Sequence, residues 1–207
     1  DENISVIVEV MGGERPAFDY QKRALTANKH LVTANKEVIA KHGQYLLDLA
    51  KSLNLELRFE ASVGGGIPVI NPLQRDLIAN KITSIRAIIN GTTNFILTEM
   101  AESGIDFDSA LNQAQQLGYA EPDSTNDIQG IDAAYKLAIL TSIAFQTQIA
   151  PEDIFQEGIT NLQPRDFQYV KELGYAIKLL AIAKESSDIL QVRVHPALVP
   201  LGSSLST

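Results

Sequence analysis

The chain has 207 residues, 17 Lys and Arg against 25 Asp and Glu for a formal net charge of −8, and neither Cys nor Trp. A hydrophobic share of 45% beside 20% charged residues excludes intrinsic disorder and predicts one compact domain or two small ones. The acidic balance argues against nucleic-acid and anionic-membrane partners, which need a basic footprint. The lack of Cys removes disulfides, zinc-thiolate sites and cysteine nucleophiles, and suits a reducing compartment, with the cytoplasm as the expectation.

The first residues lack the basic flank and long apolar core of a targeting segment, and no apolar run is long enough to span a bilayer. Residues 4–10 are apolar and β-branched, which predicts a buried strand leaving into a tight turn at Met11-Gly12-Gly13. A helix is expected over 16–28, a short strand over 30–33 closed by Ala34-Asn35-Lys36, a helix over 37–53 and a strand over 55–61. That alternation implies a parallel sheet. A Gly-rich turn at Ser62-Val63-Gly64-Gly65-Gly66-Ile67-Pro68 follows, and the domain boundary is placed here, giving 1–58 and 59–207. Next come a helical segment over 69–77 and a strand over 82–89. The latter runs into Asn90-Gly91-Thr92-Thr93-Asn94, where a turn and a helix N-cap overlap. Helices are expected over 95–102, 107–117, 129–145 and 167–173, with a polar loop over 118–127. Residues 175–183 and 189–198, joined by Ser186-Ser187-Asp188, read as a β-hairpin. The fold class is therefore α/β followed by α+β.

Asp132 and Lys136 stand four apart in a helical stretch and share one face, which an ordinary surface ion pair would also explain. Their setting adds weight to chemistry. Glu121, Asp123, Asp127 and Asp132 crowd one loop and the turn after it, an arrangement that is costly unless a cationic or amine-bearing ligand joins them. A small zwitterion fits: the acids take its ammonium, and Lys136 remains for a hydroxyl, carbonyl or carboxylate. Lys36 follows a strand at the carboxyl edge of the sheet, where open α/β sheets place ligand-binding groups, although an exposed loop lysine is the plainer reading. Gly64-Gly65-Gly66 either permits a tight turn or, with Glu60 before it, frees carbonyl oxygens for a hard cation. Tyr119 is either a pocket wall or a core aromatic. His30, His42 and His195 lack ligand spacing and are assigned structural roles, with His42 on a solvated helix face.

Six strings resemble homoserine dehydrogenase, in order and at fitting separations: Val8-Glu9-Val10-Met11-Gly12-Gly13, Thr33-Ala34-Asn35-Lys36-Glu37, Glu60-Ala61-Ser62-Val63-Gly64-Gly65-Gly66-Ile67-Pro68, Ile89-Asn90-Gly91-Thr92-Thr93-Asn94, Gly118-Tyr119-Ala120-Glu121-Pro122-Asp123 and Gly130-Ile131-Asp132-Ala133-Ala134-Tyr135-Lys136. The resemblance implies a Rossmann-like partial NAD(P)-binding domain over 1–58, then a mixed α+β catalytic and dimerisation domain over 59–207. It implies reversible hydride transfer between NADP or NAD and L-aspartate 4-semialdehyde, giving L-homoserine on the route to threonine, methionine and isoleucine.

By resemblance, Lys136 handles the hydroxyl or aldehyde proton, Asp132 orients it, and Lys36 lies between nicotinamide and substrate. Glu121 takes the substrate ammonium, and Asp127, Tyr119, Gly91 and Thr92 complete the pocket. Met11, Gly12, Asn35 and Lys36 meet the cofactor. A monovalent cation, usually sodium, maps to Glu60, Val63, Gly65 and Ile67, and the enzyme is expected as a homodimer. The family's G-x-G-x-x-G turn and final segment are not found in these residues, so this chain is expected to bind NADP(H) poorly and turn over slowly or not at all. The other readings are a non-catalytic dimerising module and a dehydrogenase of a different amino-acid semialdehyde.

Overall fold

The computed structural model describes residues 1–187 and 189–206. Packing divides the chain into two units, one of Asp1–Ile82 with Ala138–Asp153, the other of Thr83–Leu137 with the residues from Ile154 onward. The division follows contacts rather than chain order.

In the first unit, β1 (Val6–Glu9), α1 (Ala17–Thr26), β2 (His30–Thr33), α2 (Lys36–Ser52) and β3 (Leu57–Arg58) alternate as expected, and the strands form a parallel sheet in the order β1-β2-β3. α1 buries Ala17, Gln21, Ala24 and Leu25, spaced for one helical face, and packs on β1 and β2. Both helices stop in the same way. Asn28 and Asn54 take φ of 58° and 54° just past the helix ends, the left-handed closure that Asn tolerates, and the next amides return to the Ala24 and Ala50 carbonyls.

Two strand expectations are corrected. β1 is not buried on both faces: Glu9 is buried, but Val6 and Val8 stay exposed, Val8 at 64%. Only the helix-facing side of the sheet is covered: Val32 of the central β2, paired with Val8, is exposed on the same face. β3 is two residues long because only Leu57 and Arg58 pair with β2. Beyond it the amide and hydroxyl of Ser62 both donate to the Phe59 carbonyl, at 3.0 and 2.6 Å, curling Glu60–Ser62 into a 3₁₀ turn. The helical segment near 69–77 is a short π-helical turn, Pro72–Asp76.

The second unit contains β4 (Ser84–Ala87), α3 (Gly91–Ser103), α4 (Phe107–Gln116), the short α5 (Thr125–Ile128) and the first half of α6 (Ile131–Ala144), then β5 (Phe155–Gln156), α7 (Pro164–Glu172), β6 (Tyr175–Ser186) and β7 (Ile189–Pro200). Its sheet runs β4-β6-β7-β5, antiparallel except for β5 on β7. The hairpin is in register from Tyr175 opposite Pro200 to Ser186 opposite Ile189. Asp188 of its expected turn lies outside the described residues. β5 is a strand that periodicity does not announce, since two residues carry no period. α3 and α7 pack on β6, with Ile96, Leu97 and Met100 of α3 buried.

Candidate functional site

In the second unit, two glycines set the frame. Gly130 holds φ +81° between α5 and α6, a left-handed conformation open to glycine at little cost. This is why the helix expected from 129 begins only at Ile131. A Cβ on Gly158 would stand 2.4 Å from the Ile128 carbonyl oxygen and 2.8 Å from Gln129 Cα, and the Ile159 amide donates to that same carbonyl at 2.9 Å. The chain around 157–159 thus clasps the turn that carries Asp127 on one side and Asp132 on the other, at an approach no side chain would permit.

Asn90 joins these pieces. It is the N-cap of α3, with Oδ1 accepting from the Thr93 amide at 2.8 Å and from Thr93 Oγ1 at 2.9 Å. Its Nδ2 donates to Asp127 Oδ1 at 2.6 Å and to Asp132 Oδ2 at 2.9 Å. Lys136 Nζ donates to that same Asp132 oxygen at 2.7 Å and to the Ile89 carbonyl at 2.9 Å. Asp132 is 2% exposed, so its ion pair with Lys136 is not the solvated surface pair that spacing alone would allow.

Of the four acids expected to converge, Asp127 and Asp132 share one amide; Glu121 and Asp123 are exposed. The Asp123 carboxylate accepts from the Thr125 amide at 3.2 Å, and hydrogen bonds from the Thr125 side chain and backbone hold it below the usual carboxylate range. Thr92 Oγ1 donates to the Tyr119 carbonyl at 2.7 Å, and the Tyr119 ring stacks on Phe95 with centroids 4.5 Å apart. Tyr119 is exposed and is not a core aromatic. A Cβ on Gly91 would meet open space, so packing within the chain does not account for the glycine there.

In the first unit, Asn35 plays a comparable part. It is buried and caps α2 by accepting from the Val38 amide at 3.1 Å, while Nδ2 donates to the carbonyls of Met11, at 3.2 Å, and Gly13, at 2.8 Å. The Met11-Gly12-Gly13 loop is thereby fastened to the helix start at the carboxyl edge of the parallel sheet, the place where such sheets bind ligands. Lys36 opens α2 and is half-buried rather than a loop residue. His42 is also half-buried: it pairs with Glu14 at 2.8 Å and its ring lies 4.3 Å from that of Phe18. His42 and then Lys41 hold the Glu14 carboxylate down at about 2.

At the Gly-rich turn, the Glu60 carboxylate accepts from the amides of Val69, Ile70 and Asn71 at 2.6, 2.8 and 2.9 Å. Burial pushes its pKa up, but the three amides outweigh this and leave it lowered. That carboxylate closes the loop, so Glu60 would reach a cation through its carbonyl. Gly64 and Gly65 have φ of +80° and +59°, which turns the intervening carbonyls, and among the described residues no backbone amide donates to the carbonyls of Val63, Gly65 or Ile67. An all-carbonyl set suits a hard monovalent cation. The first unit also has a cavity of about 460 Å³ lined by residues such as Ile39, Leu73 and Ile143; no residue singled out from the sequence lines it.

Sequence reasoning treats Asn90 only as a cap. Its second role depends on contacts 37 and 42 residues away, for which the local string holds no signal. The clasp at Gly158 is likewise long-range.

The homoserine dehydrogenase family model matches residues 68–207, and the model of the homoserine dehydrogenase NAD-binding domain matches residues 1–60. The homoserine dehydrogenase of Synechocystis sp. is 48% identical over 203 residues, covering 96% of this chain and 47% of that protein. The Corynebacterium glutamicum homoserine dehydrogenase is 44% identical over 211 residues, covering 100% and 47%. This chain therefore spans about half the length of the curated relatives it matches. Among solved structures, a homoserine dehydrogenase from Thiobacillus denitrificans superposes with a TM-score of 0.96 at 46% identity, covering 98% of this chain and 47% of that one. A hyperthermophilic archaeal homoserine dehydrogenase in complex with NADPH superposes with a TM-score of 0.82 at 31% identity, covering 97% and 58%. With both domain models matched in order and a fold shared with these enzymes, the chain belongs to the homoserine dehydrogenase family.

Proposed function

We propose that this chain carries the substrate site, and part of the cofactor site, of an enzyme that interconverts L-homoserine and L-aspartate 4-semialdehyde. The observation that carries the reading is the buried Asp132–Lys136 pair fastened through Asn90 to Asp127. It sets a fixed cation beside two acids on one wall, as a zwitterion with a reacting oxygen requires. Glu121 and Asp127 take the substrate ammonium. The amides of Gly91 and Thr92, which start α3 without intrahelical partners, take the carboxylate, and Tyr119 walls the pocket.

In the reducing direction Lys136 donates its proton to the aldehyde oxygen as negative charge gathers there, and Asp132 holds the ammonium in place. In the oxidising direction the hydroxyl proton returns to Lys136. When bound, NAD or NADP supplies the hydride or accepts it. Met11, Gly12, Asn35 and Lys36 would hold the cofactor in the first unit, with Lys36 as the second lysine of the reaction. Sodium would sit on the carbonyls of Glu60, Val63, Gly65 and Ile67 and brace the loop. The same reading includes a cytoplasmic homodimer serving threonine, methionine and isoleucine biosynthesis; family membership supports it.

Isothermal titration of L-homoserine into this chain tests the substrate site. Saturable binding is expected, weakened on the order of 100-fold by Asp127→Asn combined with Lys136→Met. No heat in the unaltered chain, or an unaffected double variant, would overturn the assignment.

A further inference from the structure

We propose that Asn90 is a positioning residue with two separable tasks: it starts α3, and it holds Asp127 and Asp132 together as a pair on one amide. The first task needs only an oxygen. Ser, Thr and Asp cap helices about as well as Asn, so capping alone does not select this residue. Asn differs from those caps in carrying an NH₂ group, and here both of its hydrogens are spent on carboxylates of two other helices, Asp127 on α5 and Asp132 on α6. Its carbonyl is equally committed, to the amide and hydroxyl of Thr93.

All four hydrogen-bonding positions of the amide are therefore used, and its orientation is set. Turning it over would aim its oxygen at two carboxylates and its NH₂ at the Thr93 amide, exchanging three attractive contacts for repulsive ones; only the Thr93 hydroxyl could accept from the turned amide. Asn90 is only 5% exposed, so water could not easily replace what it supplies.

The energetic consequence concerns the acids. Two carboxylates gathered at one point repel each other. Among the charged groups facing Asn90, Lys136 compensates Asp132, to which it is bonded, while Asp127 receives its 2.6 Å bond from the Asn90 amide. Without the amide, Asp127 would stand beside an anion and lose its 2.6 Å bond, and the distance between the acids would no longer be set by a shared donor.

This use of the pair rests on the substrate reading above, but the coupling itself does not, and the experiment separates them. Asn90→Ser keeps a capping oxygen and loses the NH₂ group. It is expected to melt within a few degrees of the unaltered chain and to bind L-homoserine about tenfold to 100-fold more weakly, the size of one or two charge-assisted hydrogen bonds. In the Asn90→Ser background, Asp127→Asn should raise the melting temperature, because it removes the uncompensated charge left beside the Asp132–Lys136 pair; in the unaltered chain the same substitution should lower it. Such a reversal of sign is a coupling that a cap alone cannot produce.

Equal homoserine affinity in Asn90→Ser, with additive melting temperatures in the double variant, would reduce Asn90 to a cap and overturn the proposal. Should the unaltered chain not bind L-homoserine, the substrate reading falls and the melting temperatures alone decide: reversal supports the role of Asn90, additivity refutes it. Should Asn90→Ser not fold, Asn90→Asp, which also caps, carries the same comparison with a larger rescue by Asp127→Asn, since three carboxylates would then meet.

Discussion

Glu9 in the first unit and Asp132 in the second are buried almost equally, at 5% and 2% exposure, but they are served differently. Glu9 spends both oxygens on neutral donors from three parts of the chain: Oε1 accepts from the Met11 amide, and Oε2 from Gln21 Nε2 on α1 and Thr33 Oγ1 on β2. Asp132 gathers Asn90 Nδ2 and Lys136 Nζ on the single oxygen Oδ2. The first arrangement is a latch that closes the carboxyl edge of the parallel sheet. The second places a cation beside a second acid. How deeply a carboxylate is buried thus says little about its task; which atoms its donors share says more.

The largest test of the comparison is the isosteric change at each position. In Asp132→Asn the shape is unchanged and an amide oxygen can still meet the Asn90 and Lys136 donors, so the fold should survive with a melting temperature within a few degrees. The charge that holds the Lys136 ammonium is gone, and the proposed L-homoserine oxidation should fall on the order of 100-fold or more. Near-normal turnover in a steady-state assay would make Asp132 another latch.

Glu9→Gln should show the reverse ranking of effects. Its donors are divided over both oxygens, so the NH₂ of the new amide faces either the Met11 amide or Gln21, and only a turn of the Gln21 side chain relieves the second. The expected loss is about 2 kcal/mol of unfolding free energy by denaturant titration, the cost of one buried donor left unpaired. A loss within error would show that the Glu9 network relaxes and is no latch.

The same contrast shows what could be read from residue order. The spacing of Asp132 and Lys136 is a local fact of helix geometry, and so is the cap at Asn90; both are legible in a string. The strands and helices of the first unit are legible for the same reason, since β-branched runs and apolar faces repeat over a few residues. That Asp123 accepts from Thr125 while Asp127 and Asp132 share the Asn90 amide depends on how a turn closes, which nearness in sequence does not state. The exposure of Val6, Val8 and Val32 depends on which face of the sheet the helices cover, and the two-residue β5 exists only because β7 lies beside it. Contacts across 37 or 42 residues and the clasp of Gly158 on the Ile128 carbonyl belong to the assembled fold and leave no periodic trace.

The smallest expected effect extends the comparison to a buried cation. Lys178 on β6 is 4% exposed and donates to Asn94 Oδ1 at 3.0 Å and Thr98 Oγ1 at 3.2 Å, both neutral. It is thus served as Glu9 is, by uncharged partners, and not as Lys136 is. Burial lowers its pKa from the ordinary 10.5, and the Glu102 charge on the same α3 face only partly opposes this. As pH rises, the folded chain releases this proton before the unfolded chain does. Between the lowered value and 10.5 the unfolded state therefore binds more protons, and stability from this group increases with pH. Below that window both states are charged, and the desolvation cost is constant. The unfolding free energy of the unaltered chain minus that of Lys178→Met, which has no proton to lose, should accordingly be flat near neutral pH and climb as the pH approaches 10.5. A difference that falls over that range would mean that the neutral oxygens of Asn94 and Thr98, with Glu102, stabilise the ammonium by more than its burial costs, and Lys178 would then belong with Lys136.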